Sequence, residues 1–132
     1  MAKTCEAALD QRGEYASLNT NCLYRPTDNL TLEYISAFCN SKLFMFIYEQ
    51  FFGALRMSGG YFQFQSPQLR VMPIKVISPK EQEPFVRAVR LLLTHLNNGK
   101  SLQECPQITE LDELFYKLYG LSKTEISEVE RG

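Results

Sequence analysis

The segment Ser78-Pro79-Lys80-Glu81 narrows most sharply what this chain can fold into. Serine three residues before glutamate, with proline at the first helical position, is a capping box. The serine hydroxyl takes the Glu81 amide, and the glutamate returns to the Ser78 amide. The pattern predicts a helix that starts at Pro79 and is stopped by Asn97-Asn98-Gly99. Along it Phe85, Val89, Leu92 and Leu96 form one apolar stripe at helical spacing. A second box, Ser122-Lys123-Thr124-Glu125, opens a short last helix. Before it, residues 109–119 read as helical with Gly120 just past their end, and 102–107 as a loop.

Earlier in the chain, Thr31 is placed to cap a helix from Leu32, with Leu32, Ile35, Phe38 and Cys39 on one face. Ser41 is placed to cap another that carries Leu43, Phe44, Phe46, Ile47 and Phe51. That helix is apolar almost all round, which predicts the most buried one, and Gly53 ends it. Strands are expected over 4–9 and 14–24, around the turn Asp10-Gln11-Arg12-Gly13. Two more are expected, at 61–65 after Gly59-Gly60 and at 71–77, where Pro73 marks an edge strand. Ser66-Pro67 reads as a short helical turn between them. The fold class this predicts is α/β (α+β): a small, mostly antiparallel sheet with packed helices, a long helix in the C-terminal half and a short helical tail. One domain is expected over 1–132, divided into a sheet-and-helix core (1–77), the long helix (78–98) and the tail (107–130).

An apolar share of 45%, with nine Phe and seven Tyr, excludes a disordered tail. No apolar run follows Met1 as a secretory leader would require, and the greasiest stretch, 43–52, is broken by Glu49 and Gln50. A membrane span needs about 20 apolar residues, so a cytoplasmic chain off the membrane is expected. Cys5, Cys22, Cys39 and Cys105 include no C-x-x-C pair, and His95 is the one histidine. This argues against a zinc site and a disulfide framework, and predicts reduced, partly buried thiols. His95, flanked by Leu93 and Leu96, reads as a surface or packing residue. No G-x-S-x-G, H-E-x-x-H or Walker-type loop occurs, nor any Asp-x-Lys or Glu-x-Lys pairing. Glu110, Asp112 and Glu113 sit in a first helical turn, where carboxylates complement the dipole. The chain is therefore expected to carry no catalytic centre, no metal and no organic cofactor.

Net charge is −1, but it is unevenly spread. Residues 1–50 carry 4 basic and 6 acidic side chains, 51–100 carry 7 and 2, and 101–132 carry 3 and 7. A basic middle between acidic ends suits a face that meets phosphate, and equally suits an ordinary solvated surface.

Five segments fall in a fixed order: Asn40-Ser41-Lys42-Leu43-Phe44; Gly53-Ala54-Leu55-Arg56 with Gly59-Gly60-Tyr61-Phe62; Leu69 to Pro73-Ile74; Ser78-Pro79-x-Glu81-Gln82; and the tail from Glu110-Leu111-Asp112-Glu113-Leu114 through Tyr119-Gly120-Leu121 to Glu125-Ile126. In this order they resemble the TaqI-like C-terminal specificity domain of type IIG restriction–modification enzymes and related adenine-specific DNA methyltransferases. A looser similarity, through the glycine loop, the Pro-Ile strand and the Pro-x-Glu-Gln helix start, extends to specificity subunits of type I systems. The resemblance covers nearly the whole chain. It implies a target-recognition domain that reads double-stranded DNA while a methyltransferase or endonuclease portion of the same system does the chemistry. The Asn-Pro-Pro-Tyr motif of such a methyltransferase is absent here, which leaves that chemistry outside this polypeptide and fits a fragment of a longer gene or an excised domain. Residues 1–77 would be the recognition core and 78–98 a spacer-type helix.

Within the basic middle, forked donors suit base edges and cations suit phosphates. The DNA-contacting residues expected are Arg56, Ser58, Gly59, Gly60, Tyr61, Gln63, Gln65, Arg70 and Lys75. The glycines would let backbone approach the duplex. The rival expectation is a protein-interaction or homodimerisation module working through Phe85, Val89, Leu92 and Leu96; a third is an inactive gene fragment.

Overall fold

Four helices start at a hydroxyl side chain that accepts the amide three residues on: Thr31 from Tyr34 at 3.2 Å, Ser41 from Phe44 at 3.1 Å, Ser78 from Glu81 at 3.2 Å and Ser122 from Glu125 at 3.3 Å. The computed structural model that shows this describes residues 2–14, 21–23, 26 and 29–132. Its α-helices are α1 (Leu32–Cys39), α2 (Lys42–Phe52), α3 (Ser66–Arg70), α4 (Pro79–Asn97), α5 (Gln107–Leu118) and α6 (Lys123–Arg131). Short 3-10 turns occupy Gly53–Leu55 and Leu102–Glu104. The second of these falls where the sequence suggests plain loop, and Ser101 with Glu104 builds a capping box of its own there.

In the three boxes Glu81, Glu104 and Glu125 accept the backbone amides of Ser78, Ser101 and Ser122 at 2.8, 2.7 and 2.7 Å. Those backbone bonds, then the serine side chains, hold the three carboxyls below their usual value. Such a group stabilises the fold above its unfolded pKa, and that contribution is lost as pH falls through the folded pKa. Asp112, pushed up by burial, works in the opposite sense. The urea midpoint is expected to fall between about pH 6 and about pH 3, and the combined change Glu81→Gln, Glu104→Gln, Glu125→Gln should shrink that fall. An undiminished fall in the triple variant would place the acid sensitivity elsewhere.

The core is an aromatic cluster where α1, α4 and α5 meet. The Phe115 ring, fully buried on α5, lies 4.7 Å from Phe85, 5.7 Å from Phe38 and 5.9 Å from Tyr34. Tyr34 meets Phe85 edge-on at 5.1 Å. The inward face of α1 is Tyr34, Ala37 and Phe38, rotated from the Leu32, Ile35, Phe38, Cys39 face that apolarity suggests. The hydroxyl of Tyr34 lets it lie in the core and still donate to a carbonyl, a use hydrophobicity alone does not reveal. On α2 Leu43, Phe44 and Tyr48 are buried, Met45, Phe46 and Ile47 only partly, and Phe51 is 56% exposed. Fuller burial belongs to α5, with Leu111, Asp112, Phe115 and Tyr116 inside. Phe85 and Val89 of the α4 stripe are likewise buried in this core.

The sheet expected from the sequence does not form among the described residues: 58% are helical, 3% lie in bridges, and the α/β (α+β) class is corrected to a helical one. The bridges are isolated, Ala2 with Phe62 and Met57 with Tyr61. Residues 4–9 are irregular, and most of 14–24 lies outside the described residues. The alternation at 61–65 is real in burial, with Phe62 inside and Gln63 and Gln65 outside. What it faces, however, is a helix rather than a strand. Tyrosine hydroxyls take the carbonyls that a neighbouring strand would have bonded: Tyr48 donates to Gln63 O at 2.8 Å, Tyr34 to Lys75 O at 2.7 Å and Tyr119 to Pro73 O at 2.7 Å.

Candidate nucleic-acid interface

The sequence Met57-Ser58-Gly59-Gly60-Tyr61 folds back on itself. Met57 N donates to Tyr61 O at 2.8 Å and Gly60 N to Met57 O at 3.0 Å. Both glycines hold positive φ, 83° and 80°, a region side chains enter only under strain. A Cβ on Gly59 would also come within 3.0 Å of the Tyr61 ring. The turn is exposed at Ser58, Gly59 and Tyr61, and half-buried at Gly60.

Below it, Phe62 is anchored twice. Its ring meets Tyr48 edge-on at 5.5 Å, and its backbone pairs with Ala2 at 2.8 and 3.2 Å. That pairing brings Lys3 to the turn, its ammonium 5.6 Å from the Tyr61 ring centroid. Lys3 has no local signal that could have marked it, because the contact links opposite ends of a long stretch of chain. The Arg56 guanidinium lies 4.7 Å over the Phe62 ring and forms an ion pair with Glu49. Its charge is thus already partly offset.

Beyond Phe62 the chain is pinned at consecutive carbonyls. Tyr48 holds Gln63 O, and the Asn21 amide donates to Phe64 O. The Gln63 and Gln65 side chains between these pins are exposed, and Gln65 Nε2 donates to Gln63 Oε1 at 2.9 Å. A cleft of about 260 Å³ runs beneath them, floored by Tyr48, Phe52 and Phe62 and edged by Gln68, whose Oε1 is buried without a partner. Arg70, exposed in the last turn of α3, enters none of the described ion pairs.

No family model, curated protein or solved structure matches the chain.

Of the residues singled out by sequence, Arg56, Ser58, Gly59, Gly60, Tyr61, Gln63 and Gln65 therefore share one turn and the extended segment that follows it. Lys75 is occupied elsewhere. Its ammonium donates to Leu118 O at 3.1 Å, closing the end of α5, and its amide donates to Tyr119 Oη at 2.7 Å. Of the α4 stripe, Phe85 and Val89 are enclosed, Leu92 and Leu96 half-buried, and Leu91 beside them exposed. Among the described residues no three His, Cys, Asp or Glu side chains gather where a metal ion could be held. No described helix is long and apolar enough to cross a membrane.

Proposed function

We propose that this chain reads the base sequence of double-stranded DNA as a fragment or subunit of a bacterial restriction–modification enzyme, the methyl-transfer or cleavage chemistry being carried by another portion of that system. The observation that carries the reading is the glutamine pair. With Gln65 Nε2 engaged on Gln63 Oε1, the exposed pair keeps the Gln63 amide nitrogen as a donor and the Gln65 carbonyl oxygen as an acceptor. Among base edges in the major groove, adenine presents the complement, an N7 acceptor beside an N6 donor. The exposed glycine turn next to the pair lets backbone come close to a duplex, and Arg70 and Lys3 supply charge for phosphates. The ordered segments that resemble the specificity domains of such enzymes support the same reading.

Selection from a random duplex pool by the whole chain, at two salt concentrations, tests it. An enriched motif that includes adenine is expected. Gln65→Leu should cost about 1–3 kcal/mol on that motif and blur one position. Arg70→Ala should weaken binding to all sequences and flatten the salt dependence by about one unit of slope. Enrichment of no motif would refute sequence reading by this chain.

A further inference from the structure

The cleft beneath the glutamine pair is bounded by rings on its floor and by amides along its edge. Tyr48 packs there against Phe52 at 4.8 Å and Phe62 at 5.5 Å between ring centroids. Tyr48 and Phe62 are buried, whereas Phe52 is only half-buried. Leu55 and Met57 also line the cleft, yet they are 62% and 42% exposed, apolar side chains that the core does not take up. Gln63, Gln65 and Gln68 complete the lining, so none of the described residues around the cleft carries a charge. Gln68 lies in α3, and its Oε1 is shielded from water without a hydrogen-bond partner. An acceptor left in that state is costly, and a donor brought to it recovers the loss. Size narrows the occupant further. An apolar cavity of about 150 Å³ already admits benzene. The cleft, at about 260 Å³, has room for one or two fused rings.

We propose that this cleft binds an uncharged, planar nitrogen heterocycle of the nucleobase class, and that Gln68 selects it. The ring lies against Phe52, flanked by Leu55 and Met57. An N–H on its edge donates to Gln68 Oε1, which turns toward the cleft about the last side-chain torsion, a broad one in an amide. A hydrocarbon ring of the same size would fill the space but leave that oxygen unpaired, so the amide discriminates against it. A charged ring would lose its hydration and meet no counter-charge in the lining. Bases meet both demands, since each has a face that stacks on an aromatic side chain and an edge with hydrogen-bonding groups. The same chemistry comes from a free base or nucleoside, or from a base swung out of a duplex. Only the second source rests on the DNA reading proposed above.

The test titrates the whole chain into 2-aminopurine riboside, whose fluorescence changes when its ring stacks. The change should saturate at millimolar concentration or below, and adenosine should reverse it about tenfold more readily than benzyl alcohol, which carries no N–H. Gln68→Leu should weaken binding about tenfold, and because it removes an orphaned acceptor it should not lower the melting temperature. Gln107→Leu should leave binding unchanged, since the Gln107 Oε1 is likewise buried without a partner but does not edge the cleft. Leu55→Glu, at an exposed position, gives a second variant that should weaken binding by placing a charge at the apolar edge. A duplex carrying 2-aminopurine separates the sources: a signal lost in Gln68→Leu assigns the base to DNA, and a silent duplex beside a binding riboside assigns it to the free pool. Equal displacement by benzyl alcohol, or no signal from riboside or duplex that depends on Gln68 or Leu55, overturns the proposal, whatever motif a duplex selection returns.

Discussion

Phe115→Ala is expected to lower the unfolding free energy by about 3–5 kcal/mol, close to the whole stability of a marginal domain. Phe115 is fully buried, and its ring holds Phe85, Phe38 and Tyr34 together across α1, α4 and α5. Removing it opens a void among three aromatic rings that cannot collapse inward without shifting whole helices. Urea unfolding followed by far-ultraviolet circular dichroism measures the loss, with Phe51→Ala as the comparison. Phe51 is 56% exposed and should cost less than about 1 kcal/mol. Equal losses at the two positions would mean that Phe115 is not the centre of the core.

Gln82→Leu should have a comparable effect through a different cause. The Gln82 amide is completely buried, yet all its bonds are made. Its Oε1 accepts from Thr31 N at 2.8 Å and Thr31 Oγ1 at 3.0 Å, and its Nε2 donates to Asn29 O at 3.0 Å and Ile77 O at 3.1 Å. One side chain thereby joins the start of α4 to the cap of α1 and to the extended segment before Ser78. Leucine fills the same volume but leaves three backbone groups unpaired where water does not reach, at about 1–3 kcal/mol each, so a loss of about 4 kcal/mol is expected. Gln82→Glu offers a sharper discrimination. A buried carboxylate facing two carbonyl oxygens is repelled as an anion but can donate to one of them once protonated. That variant should therefore gain stability as pH falls, relative to the parent chain. If Gln82→Leu costs less than about 1 kcal/mol, the amide is a passenger rather than a tie.

Helix starts were legible in the sequence because each is decided within four residues. Thr31, Ser41, Ser78 and Ser122 all cap as their spacing to the next amide dictates. The stop at Gly99, with φ at 85°, is equally local. The sheet was misread because alternation records only that one side of an extended segment is buried; it does not say what buries it. Residues 61–65 alternate against Tyr48 and its helix, and no second strand is needed for the pattern. The candidate site was legible in part. Gly59-Gly60 and the glutamines could be found because glycine pairs and period-two polar residues mark turns and wet faces. Lys3 arrived through a long-range pairing, and Lys75 was withdrawn by the end of α5; neither event leaves a local trace. The amide of Gln82 stood in a recognisable helix start, but three of its four bonds reach Thr31 and Asn29, about 50 residues away.

The tyrosine hydroxyls that hold Gln63, Pro73 and Lys75 grip main-chain oxygens, and every residue type supplies one of those. An anchor of that kind is indifferent to the identity of the residue it anchors. Position 63 can exchange its side chain while the segment stays where Tyr48 puts it. A paired strand would tax each exchange through its neighbours across the sheet. Here the outward chemistry can be rewritten on an unchanged frame, so a new side chain at 63 need not be matched by any compensating change beneath it.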